Sequence, residues 1–443
     1  MLGSSRFSPF SPFYPSKVSP LSEESRPEPP DGAPKRKGKA PRKHTVGRVI
    51  LISSVVLALV TGLSTIYFVR HLNGNITGVS LAELGDERPE KLYKGNGEPL
   101  NILVMGSDTR EGEGNAIDGE GGGGGSDTTI LVHLSANRDR AYAVSIPRDS
   151  IVDRPEVGCD APAETDVMWN AAYTVGGPVC TVAQLQENAD LPVDHFVVVD
   201  FNGFGDMVDA VGGVPVCVPE DLVDRPHGIF VPAGDPSVLT GDEALDYVRT
   251  RSVGELEQQN DISRIRRQQT FIAALVREVK SAGTLTRFDK VVKFLDAATS
   301  SLTTDTELDS VTRIGKIAMQ LQSIGLDKVK FVTLPTEYYP LDSEFPGRVF
   351  WTEDATRIWN LINQDKEIPA RLLAGNAVTA EPPKTSSEAQ SPTQAPSETA
   401  SESPSPTPSE TPSETASESE TATPETPEAP ATTEPEPVPG VCA

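Results

Sequence analysis

The residue types best suited to chemistry cluster in one stretch, 125–149, which reads GSDTTILVHLSANRDRAYAVSIPRD. Two β-type runs, 129–134 and 140–146, flank a polar turn at 135–139, the pattern of a hairpin. Asp127 stands at the start of the first run, and Arg148 and Asp149 follow the end of the second. A hairpin brings the start of one strand beside the finish of its partner, so these three side chains are expected to converge. Two carboxylates and a guanidinium suit a phosphate ligand carrying Mg²⁺, with hard oxygens for the metal and a planar fork for the phosphate. A surface hairpin closed by a salt bridge is the plainer alternative.

Further charged residues need elements that aim them at the same place. The run LNILVMGSD predicts a buried strand that ends in a loop carrying a third carboxylate, Asp108. Residues 241–248 have a helical pattern with Thr240 and Glu243 placed for a capping box. Arg249 and Arg251 follow at once. Residues two apart point the same way only on extended backbone, so the helix is expected to end near Tyr247 if both are to reach one ligand. A longer helix is expected over 261–280, with Ile262, Ile265, Ile272, Val276 and Val279 as its apolar stripe. Arg264 and Gln268 lie on another face of that helix and present a guanidinium and an amide side by side. Strands at 195–200, 214–218 and 329–334 alternate with helices at 178–187, 203–211, 288–298, 308–324 and 351–362, which indicates an α/β layered fold. The apolar strand 196–199 and the stripe of the 261–280 helix could line a tunnel or simply form core. The glycine run between Asp108 and Asp127 has no Gly-Lys-Ser/Thr after it and reads as a surface loop.

The ends of the chain are biased. Residues 1–48 are rich in Pro, Ser and Lys and contain the basic cluster Lys35, Arg36, Lys37, Lys39, Arg42, Lys43 and Arg48. A disordered basic tail is expected there. Residues 49–69 carry no charge and at 1.5 Å per residue are long enough to span a bilayer core. Basic residues before this segment, against Arg70 alone directly after it, predict a cytoplasmic N-terminus and an external domain. Residues 70–97 read as a juxtamembrane stalk, 98–376 as the folded domain and 377–443 as a disordered tail of Ser, Thr, Pro and Glu. That tail holds twelve Glu and one Lys (Lys384), and the octad PSETASES occurs in it twice. With a net charge of −25, the protein is a poor candidate for nucleic-acid binding. Outside the cytoplasm disulfides persist. Cys159 and Cys180 could close a loop of about twenty residues, but three cysteines within the domain leave the pairing open. No cysteine has zinc-ligand spacing. No Ser/His pairing suggests a nucleophile, and His133, in mid-strand, reads as structural.

The stretches NILVMGSD, SDTTILVHL, SIPRD, NAAYTVGGP, PVDHFVVVDFNGFGDMVDAVGGVPVCVPED, GDEALDYVRTR and DISRIRRQQTF, in this order, resemble the LytR–CpsA–Psr family of cell-envelope proteins, actinobacterial members among them. The resemblance spans residues 101–271 and implies a three-layer α/β/α sandwich whose pocket holds a polyprenyl pyrophosphate. It implies transfer of a glycopolymer from an undecaprenyl-pyrophosphate carrier to a cell-wall acceptor, usually a peptidoglycan hydroxyl, with formation of a phosphodiester. By position, Asp108 and Asp127 match the residues associated with Mg²⁺ (or Mn²⁺), and Arg148, Arg249, Arg251, Arg264 and Gln268 match the pyrophosphate-contacting set. Asp127, Arg148 and Asp149 are the catalytic candidates, with direct attack by the acceptor hydroxyl expected. Two departures stand out: Gly125 and Met168 occupy positions where many members carry Arg and Lys. A ligase acting on a surface protein, a polyprenyl pyrophosphatase and a non-catalytic envelope regulator share the same motifs and stay open as alternatives.

Overall fold

A computed structural model describes residues 44–85, 88–107, 125–250, 260–280, 287–375 and 377–379. Asp108, Arg251, the glycine run, the N-terminal tail before His44 and the tail beyond Thr379 lie outside the described residues.

Helix α1, His44–Asn75, contains the apolar segment expected to cross a membrane. Val46–Asn75 is long and apolar enough to do so, and it is the one such helix among the described residues. Its portion through Leu63 forms a unit of its own, and the chain from Ser64 onward forms the second. Within the second unit the last turns of α1 are built into the domain. Leu72 is buried, Asn73 accepts from the Val311 amide at 3.0 Å, and Asn75 donates to Thr299 Oγ1 at 3.3 Å.

The centre is an eight-stranded mixed sheet. Its strands are β1 (Thr77–Val79), β2 (Leu100–Ser107), β3 (Ser126–Leu134), β4 (Ala141–Ile146), β5 (His195–Asp200), β6 (Leu302–Asp305), β7 (Val329–Thr333) and β8 (Ala377–Thr379). They lie in the order β1-β6-β5-β2-β3-β4-β7-β8. Alternation along each strand sends side chains to two faces. Leu103, Leu131, Val144 and Val332, neighbours across four strands, point to one face and pack with α2 (Ala171–Ala189) and, through Ile358 and Trp359, a helix at Glu353–Asn363. Ile130, Ala143 and Phe331 point to the other, where Ile272 and Ala273 of the helix Asn260–Lys280 cover them. Helices on both faces of one sheet make the three-layer α/β/α sandwich that the resemblance implied. A satellite core joins α3 (Phe201–Val211) and α4 (Gly241–Arg249) to the short antiparallel pairs at 214–239. The helix Asn260–Lys280 is α5 below.

Residues 70–97, expected as a stalk, carry parts of the fold. β1 pairs in parallel with β6, Leu84 joins the main core, and the Leu92 amide donates to Asn363 at 3.0 Å. This contribution is non-local: β1 pairs with residues more than two hundred positions away, and no local pattern announces it. Cys159 and Cys180 form a disulfide, and no free cysteine occurs among the described residues.

Candidate active site

The hairpin delivers what its pattern promised. Thr129 pairs with Ile146 at the last register position, which leaves Asp127 and Arg148 each two residues beyond it. Arg148 Nη1 donates to Asp127 Oδ1 at 2.9 Å. The aim of Asp127 has a second cause. On the β2 side, Gly106 pairs with Thr128 and Ser107 with Ser126, so Asp127 is the extra residue of a β-bulge. Bulges turn a side chain out of the alternating pattern and recur beside active sites. A Cβ at Gly106 would stand 3.4 Å from both the Phe201 ring and Thr128, so the backbone here lies close against both.

Asp149 completes the trio through the same Arg148 guanidinium. One oxygen lies 3.7 Å from Arg148 Nε, and the other accepts from Arg348. The loop that carries Arg148 and Asp149 is braced by the segment at Met168. Trp169 donates its amide to Ser150 O at 2.8 Å, and Asn170 donates to Arg148 O at 3.3 Å. The Trp169 indole is itself fixed by a 3.1 Å bond to Thr129 Oγ1.

Helix α5 brings Arg264, only 2 % exposed, within 3.9 Å of the second Asp127 oxygen. Gln268, one turn on, donates to Val248 O at 3.3 Å and so ties α5 to α4. Arg249 spreads over the Phe201 ring at 4.5 Å, a cation–π contact that holds the guanidinium at the mouth. Helix α4 does not end near Tyr247; it runs through Arg249. Thr250 stops it, with its amide and hydroxyl both bonded to Asp246 O. Arg267, fully buried, donates to Thr250 O, and burial lowers its pKa to about 10. The capping box of Thr240 and Glu243 is present as expected.

Asp127, Arg249, Arg264 and Gln268 edge an apolar cavity of about 230 Å³ lined by Val104, Ile130, Val199, Phe204, Ile272 and Leu275. A second apolar cavity of about 450 Å³ shares Ile272 and Leu275 and continues beneath α5 to Val279, Phe294 and Leu321. The α5 stripe therefore covers cavity along much of its length. Of the strand 196–199, Val199 lines the cavity, whereas Phe196 and Val198 belong to the core of the opposite face.

Neither histidine considered from sequence lies here. His133, fully buried, sits 2.7 Å from Asn101 Oδ1 and 3.2 Å from Asp365 Oδ1, at the other end of the sheet. His195 faces Asp305 at 3.2 Å at that same end. Sequence reasoning missed Arg348, whose single position in PGRVF carries no signal, and the bracing by Trp169, whose motif gave no role to its indole.

An α/β/α sandwich with an apolar cavity opening between guanidinium groups is the class of protein these observations define. The chain belongs to the LytR_cpsA_psr family, whose sequence model matches residues 68–367. It is 33 % identical over 228 residues to the probable cell wall biosynthesis protein LcpB of Corynebacterium glutamicum, covering 50 % of this chain and 52 % of that one. It is 30 % identical over 263 residues to the polyisoprenyl-teichoic acid–peptidoglycan teichoic acid transferase TagV of Bacillus subtilis, covering 56 % and 61 %. The chain thus spans between half and two thirds of the length of these curated relatives. The crystal structure of protein gbs0355 from Streptococcus agalactiae shares the fold, with a TM-score of 0.50 and 24 % identity over 61 % of this chain and 90 % of that one.

Proposed function

We propose that this protein is a membrane-anchored phosphotransferase that moves a glycopolymer from an undecaprenyl-pyrophosphate carrier to a peptidoglycan hydroxyl. Its N-terminus would be cytoplasmic and its domain external. The observation that carries this reading is the junction of opposites at the mouth: guanidinium groups on Asp127 at the rim of a cavity lined by aliphatic and aromatic side chains. A polyprenyl pyrophosphate has this same division, with an apolar chain ending in several negative charges. The names of the relatives, which pair a polyisoprenyl-linked donor with peptidoglycan, support it.

The chemistry follows from charge. The acceptor hydroxyl attacks the glycan-bearing phosphorus, a new P–O bond forms, and the P–O bond to the polyprenyl phosphate breaks. The hydroxyl proton passes to a carboxylate at the mouth, Asp127 or Asp149. Arg148, Arg249 and Arg264 neutralise charge growing on the departing phosphate, the dominant contribution in phosphoryl transfer. Arginine suits the task because it stays charged and binds phosphate with two N–H groups.

Asp127 offers one carboxylate beside the expected phosphate position. Mg²⁺ bound by one or two carboxylates together with substrate oxygens matches that donor set. Asp127 would hold the ion, which supplies charge neutralisation to the phosphate when bound. The test is release of polyprenyl phosphate from a polyprenyl pyrophosphate by the full chain in detergent, with Mg²⁺ and with EDTA. Turnover that needs the metal and is lost in Arg148→Ala supports the reading. Lipid that binds without any turnover, with peptidoglycan present, contradicts it.

A further inference from the structure

Helix α1 leads into β1, and helix α6, Phe288–Ser300, leads into β6; the two strands pair in parallel. The offset between these two stretches is nearly constant. His71 Nε2 lies 3.1 Å from Asp296 Oδ1, Asn75 donates to Thr299 Oγ1 at 3.3 Å, and Thr77 pairs with Thr303. The last turns of α1 and the end of α6 therefore run the same way. Both arrive at the mouth end of the sheet, because the row Thr77–Thr303–Val198–Met105–Thr129 stops two residues short of Asp127. The uncharged segment of α1 closes at Val69. The bilayer thus lies on the N-terminal side of His71, and the helix climbs from it toward the mouth.

Helix α5 leaves the mouth in the opposite sense. Arg264 meets Asp127 there, and Lys280, its last residue, donates to Ile324 O at 2.9 Å beside Leu134 and Ala141, at the turn end of the β3–β4 hairpin. The second cavity follows this half of the sheet, between Val279 of α5, Phe294 of α6 and Met319 of α7, Val311–Ser323. Two large apolar side chains stand in solvent on that side. Met319 lines the cavity yet is 64 % exposed, and Phe288, which opens α6, is 81 % exposed. Phe288 lies about 12 Å before Asp296 along the helix, at 1.5 Å per residue, on the membrane side of the level set by His71. Charge around them reverses that of the whole chain. Arg277, Lys280, Arg287, Lys290 and Lys293 stand against Glu278 and Asp289, in a protein whose net charge is −25.

We infer that the start of α6, with Met319 of α7 and the basic end of α5, is a docking face for the leaflet of the membrane that holds α1. Phe288 and Met319 enter the acyl boundary, and the basic side chains meet lipid phosphates. The inference rests on the phosphotransferase reading with α1 as its anchor, and adds where the carrier enters. The polyprenyl chain rises from the leaflet through the second cavity, and the mouth opens on the side away from the bilayer. An exposed Phe ring at this height gains by leaving water for the acyl boundary, and cations beside it are drawn to anionic headgroups. Helix α1 fixes the bilayer at this level already, so lipid is the occupant that the fold itself brings to the face.

The test places the full chain in vesicles of phosphatidylcholine and phosphatidylglycerol that carry bromine on their acyl chains, and reads tryptophan quenching. The native tryptophans, Trp169, Trp351 and Trp359, pack together on the α2 face and supply the background. Phe288→Trp and Met319→Trp are expected to add a quenched component. Tyr338→Trp, on the strand paired with Val349 beside Asp149, is expected to add an unquenched one. Quenching at Tyr338→Trp in place of the other two turns the mouth toward the bilayer and overturns the inference, as does quenching at none of the three. A second measurement uses Phe288→Glu. Release of polyprenyl phosphate should match wild type when the donor is in detergent and fall about fivefold when it is in vesicles. Equal rates in vesicles overturn the inference. Quenching needs no turnover, so a wild type that releases nothing in detergent contradicts the reading of the mouth and leaves the docking face to be decided by the quenching.

Discussion

At the turn end of the β3–β4 hairpin, Arg140 meets Asp365 at 2.7 Å, with Asp365 4 % exposed and a fully buried His133 against the same carboxylate. At its open end, Arg148 meets Asp127 at 2.9 Å, and each side chain keeps about a fifth of its surface exposed at 22 % and 23 %. The ingredients match and the surroundings differ. Asp365 also accepts from the Ala136 amide, so that cluster closes on the protein's own groups and fastens the segment after the Glu353–Asn363 helix to the hairpin turn. Asp127 edges a cavity, and its pairing with Arg148 stays partly open to solvent. An ion pair thus marks structure or function by what lies beyond it, and the pair itself carries no such label.

The largest effect that would sharpen this contrast belongs to Arg148. Arg148→Ala is expected to lower polyprenyl phosphate release on the order of 100-fold or more. Its melting temperature should move little, because this pair stays partly open to solvent and such a pair contributes about 1 kcal/mol. A melting temperature that collapses with activity would put Arg148 in the same class as Arg140. Asp365→Ala should behave in the reverse way. Stranding buried partners costs about 3 kcal/mol or more, seen as a lowered urea midpoint, while turnover per folded molecule persists.

Next in size is the disulfide. Cys159 and Cys180 are 21 residues apart, and closing such a loop stabilises by about 3 kcal/mol on the chain-entropy estimate. Cys159→Ser should lower the urea midpoint of the oxidised protein accordingly, and an unchanged midpoint would deny the loop that role. A smaller, pH-dependent effect sits at the far end of the sheet. Burial pulls the His195 imidazole down, and the hydrogen bond and charge of Asp305 outweigh it, so its pKa is raised above 6.5. A raised histidine contributes stability that is fully present below 6.5 and fades as the pH climbs through the folded value. The lead in denaturation midpoint of wild type over Asp305→Asn should therefore shrink from pH 6 to pH 8, the comparison cancelling the opposite contribution of His133, whose pKa burial lowers. The mouth offers the smallest change. A Cβ on Gly125 meets only Thr174 Oγ1, at 4.0 Å. Gly125→Arg has room to add a cation, and a two- to fivefold lower KM for the donor, on the order of 0.5–1 kcal/mol, is the expected gain. An unchanged KM would show that the mouth already holds enough charge.

Which of these features could be read in the chain follows from how local their causes are. The strands His195–Asp200 and Val214–Val218 were legible to the residue, because apolar runs between turn signals fix them. The meeting of Asp127 with Arg148 was legible too, since hairpin geometry alone predicts it. The bulge at Asp127 was not, because it exists only in the register with β2. Arg348 reaches Asp149 across 199 residues, and β1 finds β6 across an even longer span. The end of α4 lies beyond Tyr247 because Thr250 caps the helix one residue after Arg249, a stop that the spacing of Arg249 and Arg251 does not encode. Local chemistry was readable; long-range pairing was not.

Asp127 serves two guanidinium groups from two different elements, Arg148 after β4 and Arg264 on α5. Before any donor arrives, the carboxylate therefore acts as a resident counter-ion, sparing the two cations from facing each other bare. Donor entry becomes an exchange of one anion for another. The ionic-strength dependence of donor affinity should then be shallower than the number of arginines at the rim suggests. Replacing Asp127 by Asn would steepen it, turning a guarded gate into an ordinary anion trap.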